Sequence, residues 1–121
     1  MKVHIDLSGD VIQTTVDGTI SGPLILKIHE VITSHPDFSS DANRLWDLRD
    51  ADFSHMMAAE VQWLRLRIQK SLESSNIKIA IVAISSFETK IITVLKSLSM
   101  EKSNSQIEVF DNMAEATQWC A

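Results

Sequence analysis

The stretch Ile77 to Ile84, IKIAIVAI, is apolar at every position but Lys78 and is rich in β-branched residues. A run of this kind is a strand covered on both faces, because an alternating strand would carry polar residues toward solvent. It is far too short to be a membrane-spanning helix, which takes about 20 apolar residues. A strand buried on both sides needs a layer above and a layer below, and that requirement points to a central position in a sheet flanked by helices.

The remainder of the chain supplies those layers. Residues 3 to 7 (VHIDL) and 11 to 16 (VIQTTV) alternate apolar with polar around Ser8-Gly9-Asp10, the pattern of an antiparallel hairpin, and Asp17-Gly18 is expected to end its second strand. Ser21-Gly22-Pro23 reads as a helix start, since proline is preorganised for the first turn. Leu24, Ile28 and Val31 follow at helical spacing, with Ile25 and Ile32 beside them, and the helix should stop near Ser34, before Pro36. After the polar link Asp37 to Asn43, Arg44 to Leu48 is a short strand, and Ser54 is placed to cap a helix running to about Ser74. Met57, Val61, Leu64, Ile68 and Leu72 form its inward stripe. Behind the central strand, Ser85-Ser86-Phe87-Glu88 fits a capping box for a helix carrying Ile91, Ile92, Val94, Leu95 and Leu98. Ile107 to Phe110 is the last strand, and Asp111 or Asn112 caps a terminal helix with Met113, Ala116 and Trp119. The order is ββαβαβαβα. It predicts one α/β domain over residues 1–121, with an antiparallel N-terminal hairpin, parallel strands joined by right-handed crossovers, and four flanking helices.

Composition narrows the function classes. Eleven Lys and Arg against sixteen Asp and Glu give a net charge of -5, the wrong sign for an affinity built on neutralising phosphates, so nucleic acid is not an expected partner. The start of the chain, MKVHIDLSGD, lacks the apolar core of a signal peptide, and the expected compartment is the cytoplasm. The single cysteine, Cys120, excludes an intramolecular disulfide and a thiolate zinc cluster. His4, His29, His35 and His55 show no metal-ligand spacing, and His55 on one side of a helix is badly placed to serve as a base for Ser54. No nucleophile elbow, P-loop or dinucleotide fingerprint occurs, so neither a catalytic residue nor a cofactor is expected.

The element order, with LWDLRDADFS (45 to 54), IAIVAI (79 to 84) and VFDNMAEATQW (109 to 119), resembles the SpoIIAA-like proteins. These are small bacterial relatives of the STAS domain with a structural kinship to the lipid-binding CRAL-TRIO (Sec14-like) domains. The resemblance implies a mixed five-stranded sheet flanked by helices and a non-catalytic module that binds a partner protein, a small or lipidic ligand, or a membrane surface. It also places the turn after Arg44 to Leu48 at the STAS turn that carries a regulatory phosphoserine. The pattern Asp-Ser-Ser-Gly is absent here, and Ser54 matches only by its place before the following helix.

Two surfaces stand out. Ligands of open α/β sheets collect beyond the carboxyl ends of the parallel strands. That edge here should contain Arg49, Asp50, Asp52 and Ser54 with Ser85, Ser86 and Phe87, beside Asp17, Gly18, Asp111 and Asn112. Arg49 next to Asp50 and Asp52 could orient a head group or simply form a solvated ion pair. Capping alone accounts for Ser54 and Ser85. The second surface is a stripe on the far side of the long helix, Met56, Ala59, Trp63 and Leu66, which the inward stripe leaves without a core to enter. It predicts either packing on a neighbouring helix or self-association as a homo-oligomer. Trp46 and Trp119 read as core, and Asp47, if buried, should have a raised pKa. Three readings remain open: a binding module with a protein or ligand partner, a lipid carrier peripheral to the membrane that opens at the helix Phe87 to Met100, and an enzyme using Asp50, Asp52 or His55 as acid or base.

Overall fold

The computed structural model describes residues 2–39, 41–57, 59–60, 62–64, 66–67, 76–83 and 106–121. Five strands form one sheet in sequence order: β1 (Lys2–Asp6), β2 (Val11–Thr19), β3 (Asn43–Asp52), β4 (Lys78–Val82) and β5 (Gln106–Phe110). β1 pairs antiparallel with β2, and every later pairing is parallel. Helix α1 (Gly22–Ser34) joins β2 to β3, helical residues between 59 and 67 form α2, and α3 (Met113–Cys120) closes the chain. The helix expected over Phe87 to Met100 lies outside the described residues, as do Val61, Ile68 and Leu72.

β4 sits between β3 and β5, as its sequence demands. Ile79 and Ile81 point into the main core with Ile12, Val16, Ile28, Ile32 and Leu64, whereas Ala80 and Val82 enter a second cluster with Leu45, Ala116 and Cys120. α1 and α2 therefore cover one face and α3 the other, over β3, β4 and β5. Alternation along a single strand feeds two cores, and this is why its sequence shows no polar side.

Caps follow the local chemistry. Ser21 Oγ accepts from Leu24 N at 3.2 Å and Pro23 occupies the first turn of α1. Asn112 Oδ1 accepts from Glu115 N at 2.8 Å at the start of α3. Asn43 joins three elements: its amide accepts from Lys78 N at 2.8 Å and donates to the Cys120 carbonyl at 2.7 Å. The buried Cys120 thiol points to the Arg44 carbonyl at 3.3 Å, and burial pushes its pKa up. Trp119 packs on Phe110 with ring centres 5.6 Å apart, under the Lys78 ammonium.

Two strand ends and one helix face differ from the sequence reading. β2 does not end at Asp17-Gly18 but runs to Thr19, because β3 continues beside it with Asp17 opposite Asp50, Gly18 opposite Ala51 and Thr19 opposite Asp52. Gly18, at φ 122, takes a backbone conformation that other residues rarely adopt, so the glycine serves inside the strand. β3 likewise extends past Leu48 to Asp52, and RDAD is strand rather than turn. Thr15 opposes Asp47 and Asp17 opposes Asp50, so both Leu48 and Arg49 face Val16, a bulge that preserves the burial of Leu48 and Ala51. On α1 the buried line is Ile25, Ile28, His29 and Ile32, while Val31 is exposed.

Candidate functional site

The carboxyl edge is built differently from the sequence expectation. Arg49 does not pair with Asp50 or Asp52. Its Nε reaches Asp47 Oδ1 at 2.8 Å and its Nη2 reaches Oδ2 at 2.9 Å, a two-pronged contact between residues two apart on β3. The Arg49 hydrogen bonds hold the Asp47 carboxyl below the usual carboxylate range, against the upward push of burial, and the carboxylate in turn raises the Arg49 pKa. The raised Asp47 pKa expected from burial is thus reversed, because a bidentate guanidinium outweighs desolvation at this site. Asp50 and Asp52 are exposed, and with Asp17 opposite Asp50 they make this rim acidic.

Ser54 is not a helix cap. Asp52 Oδ1 accepts from Ser54 N at 2.9 Å, a local turn that competes with helix initiation, and the chain then crosses Ser54 and His55 in an exposed turn. Phe53 and Met56 drop into the core at 2% and 7% exposure, and Met56 N donates to the Phe53 carbonyl at 2.9 Å. Regular helix is present from residue 59. That late start exchanges two expected roles: Met56, assigned to the outer stripe, is buried, whereas Met57, assigned to the core, is exposed. Ser85, Ser86 and Phe87 lie outside the described residues.

On α2 the inner side is set by Leu64, 1% exposed, and by Glu60, whose carboxylate accepts from Gly22 N at the start of α1. A Cβ on Gly22 would stand 2.7 Å from Glu60 Cγ, so glycine is what lets the two helices approach here. Ala59, Trp63 and Leu66 fall within about 60° of one another at 100° per residue, on an arc turned about 110° from the side of Glu60 and Leu64, and all three are exposed. Trp63 is 37%, Leu66 60% and Met57 70% exposed, and the Arg67 guanidinium lies 5.6 Å from the Trp63 ring centre. Large apolar side chains clustered at a surface mark an interaction site more often than scattered ones do.

One constellation escaped sequence reading. Arg44, 5% exposed on β3, hydrogen-bonds His29 Nδ1 of α1 at 3.2 Å and lies 5.5 Å from the Phe38 ring centre. Among the described residues no carboxylate pairs with it, and its Nε has no partner. Burial lowers the pKa of both groups, and the Arg44 charge lowers that of His29 further. Nothing in the spacing of His29 and Arg44 announces the contact, and arginine as the first inward residue of an apolar strand was the sole hint.

Open clefts of about 460, 300 and 280 Å³ surround the β1–β2 loop, at the end of the sheet opposite the expected edge. Asp6, Asp10, Asp37 and Asp41 line them in turn. Among the described residues no group of three His, Cys, Asp or Glu is placed to hold a metal ion, and no helix is long and apolar enough to cross a membrane.

No protein-family model matches the chain, and no curated protein matches it. Among solved structures it is similar to an uncharacterized protein of the DUF3478 family with a SpoIIAA-like fold from Shewanella loihica PV-4. The TM-score is 0.62 over 99% of this chain and 93% of that one, at 13% identity. The chain has a SpoIIAA-like fold.

Proposed function

We propose that this SpoIIAA-like domain works without catalysis, as a binding module that associates with a second copy of itself through the outer face of α2. The supporting observation is the exposed arc of Ala59, Trp63 and Leu66 on a helix whose inner side is already committed to the core and to Gly22. Trp, Met and Arg are residues enriched where proteins meet, and Arg67 over Trp63 adds a planar, weakly hydrated cation to the patch. A two-fold contact sets the same arc against itself, so each Trp63 finds an apolar neighbour without a second specialised surface. Ser54 is exposed next to His55 in the turn that precedes α2, and its phosphorylation would add charge to that turn. An unidentified protein or a small or lipidic ligand at the acidic rim of Asp17, Asp50 and Asp52 remains the further partner of this module.

Light scattering coupled to size-exclusion is the measurement. Wild type is expected to self-associate, and Trp63→Glu to weaken that association by about 2 kcal/mol or more, the cost of burying an unpaired carboxylate at the centre of a contact. A monomeric wild type, or an unchanged mass in Trp63→Glu, overturns the reading.

A further inference from the structure

Among the described residues β1 is an edge strand, paired with β2 on one side, and its outer edge offers the backbone groups to which a further strand can add. Proteins usually blunt such edges with charge of one sign or with proline. The residues of β1, Lys2-Val3-His4-Ile5-Asp6, do something different. The strand is symmetric about His4: a cation stands two residues before it and an anion two residues after it, with an apolar residue on either side between them.

We infer that β1 is a second contact between copies of this chain, an antiparallel β1–β1 pairing across a two-fold axis at His4. In that register residue i faces residue 8 − i of the other copy. Lys2 meets the partner copy's Asp6 at both ends of the strand, Val3 meets Ile5 at both inner positions, and the sheets of the two copies become one. Directly opposed residues share a face of the sheet. Through the pairings of Asp6 with Gln13 and of Gln13 with Leu45, the ions lie on the face that carries α3, where Lys2, His4 and Asp6 are exposed. Through the pairing of Val3 with Val16, the apolar pair lies on the main-core face, where Val3 is 39% exposed and Ile5 already packs on the core.

The occupant follows from charge complementarity. A strand bearing only lysines would repel its own copy, and an apolar strand would accept any partner. One carrying opposite charges at equal distances from its midpoint matches itself in the antiparallel sense, whereas a parallel pairing would set Lys2 against Lys2 and Asp6 against Asp6. The anion is also fixed in advance. Asp6 Oδ1 accepts from Ser8 N at 2.9 Å and from Ser8 Oγ at 2.6 Å, which leaves Oδ2 to meet an ammonium and keeps the carboxyl ionised. β1 lies at the sheet edge and Trp63 on a helix of the main-core layer, so the two contacts are separate surfaces.

Charge exchange between the copies tests this, with Trp63→Glu as the background so that the α2 contact is weakened. Sedimentation equilibrium of Trp63→Glu should still show dimers, and those dimers should weaken as salt rises. Adding Lys2→Glu sets carboxylates opposite one another, and adding Asp6→Lys sets ammonium groups opposite one another; each should raise the dimer dissociation constant about tenfold or more, since two pairs change from attractive to repulsive. Mixing these two variants in equal amounts restores both ion pairs in the heterodimer, and dimers should return close to the level of the background. Recovery on mixing also shows that both variants are folded. A Trp63→Glu protein that is monomeric throughout, single variants as tight as the background, or a mixture that stays monomeric overturns the β1 pairing. None of these outcomes depends on whether α2 self-associates, which is decided by comparing wild type with Trp63→Glu.

Discussion

Phe53→Ala should destabilise the fold by about 3–5 kcal/mol, read as a lower midpoint in urea unfolding followed by tryptophan fluorescence. Phe53 is 2% exposed and, with Met56, is one of two side chains that carry the link between β3 and α2 down into the core. Truncation leaves a void that the flanking strand cannot close, because Asp52 is held in the β2–β3 ladder on one side and the Met56 amide is bound to the Phe53 carbonyl on the other. The effect extends beyond stability. The link fixes where α2 begins and hence which residues face outward, so the variant should also lose self-association. Met57→Ala is the control: its side chain is 70% exposed, and the folded monomer should change by less than about 0.5 kcal/mol. Equal losses at the two positions would contradict the assignment of Phe53 as anchor and Met57 as surface.

The buried pair Arg44 and His29 should make stability fall as pH drops below 6.5. Burial and the neighbouring guanidinium hold the His29 pKa below 6.5, with only Glu30, next to it on α1, acting in the opposite direction. The unfolded chain therefore takes up a proton at His29 before the folded one does. Its contribution is complete above pH 6.5 and is lost as pH falls from 6.5 toward the lower folded-state value, with a slope of at most about 1.4 kcal/mol per pH unit. Asp47, held down by Arg49, follows the same sign, but its loss begins only near pH 3.8, so the two windows separate. At pH 8, His29→Leu should cost about 1.5–3 kcal/mol, because it removes the hydrogen-bond partner that the buried guanidinium has among the described residues. It should also flatten the profile below pH 6.5. Combining His29→Leu with Arg44→Met removes the buried charge together with its partner, and the double variant should recover most of that loss. A pH slope that survives in His29→Leu would assign the acid sensitivity elsewhere.

Those two results concern residues whose roles the sequence reveals unequally, and the reason is physical. IKIAIVAI is readable because burial on both faces leaves no polar alternation, a property of the strand itself. Ser21 and Asn112 are readable because a cap acts within three residues of its own position. Asp17-Gly18 misleads because a turn signal is a local preference, and eight rungs of parallel pairing with β3 outweigh it. Met56 and Met57 exchange places because an Asx turn at Asp52 delays the helix, and the outward direction of a helical residue depends on where the helix starts. Arg49 finds Asp47 rather than Asp50 because, within a strand, residues two apart share a face, and the sequence had suggested a turn. Ala59, Trp63 and Leu66 keep a common exposed side through these changes, because their mutual spacing lies wholly inside α2.

The seal that Asn43 places on the C-terminal helix gives this protein a built-in clock. Cys120 is the single cysteine of the chain, is fully buried, and lies between the Arg44 carbonyl and the underside of α3, whose last turn is fastened by Asn43. A thiol reagent can reach that sulfur only when α3 lifts from β3 and β4, so the labelling rate relative to that of the denatured chain measures the free energy of this one opening. If α3 lifts on its own, labelling is faster than global unfolding allows. If the Asn43 clamp makes it part of the same cooperative unit, the labelling free energy tracks the urea stability of every core variant. A single unmodified side chain thereby separates local detachment from collapse of the whole sheet.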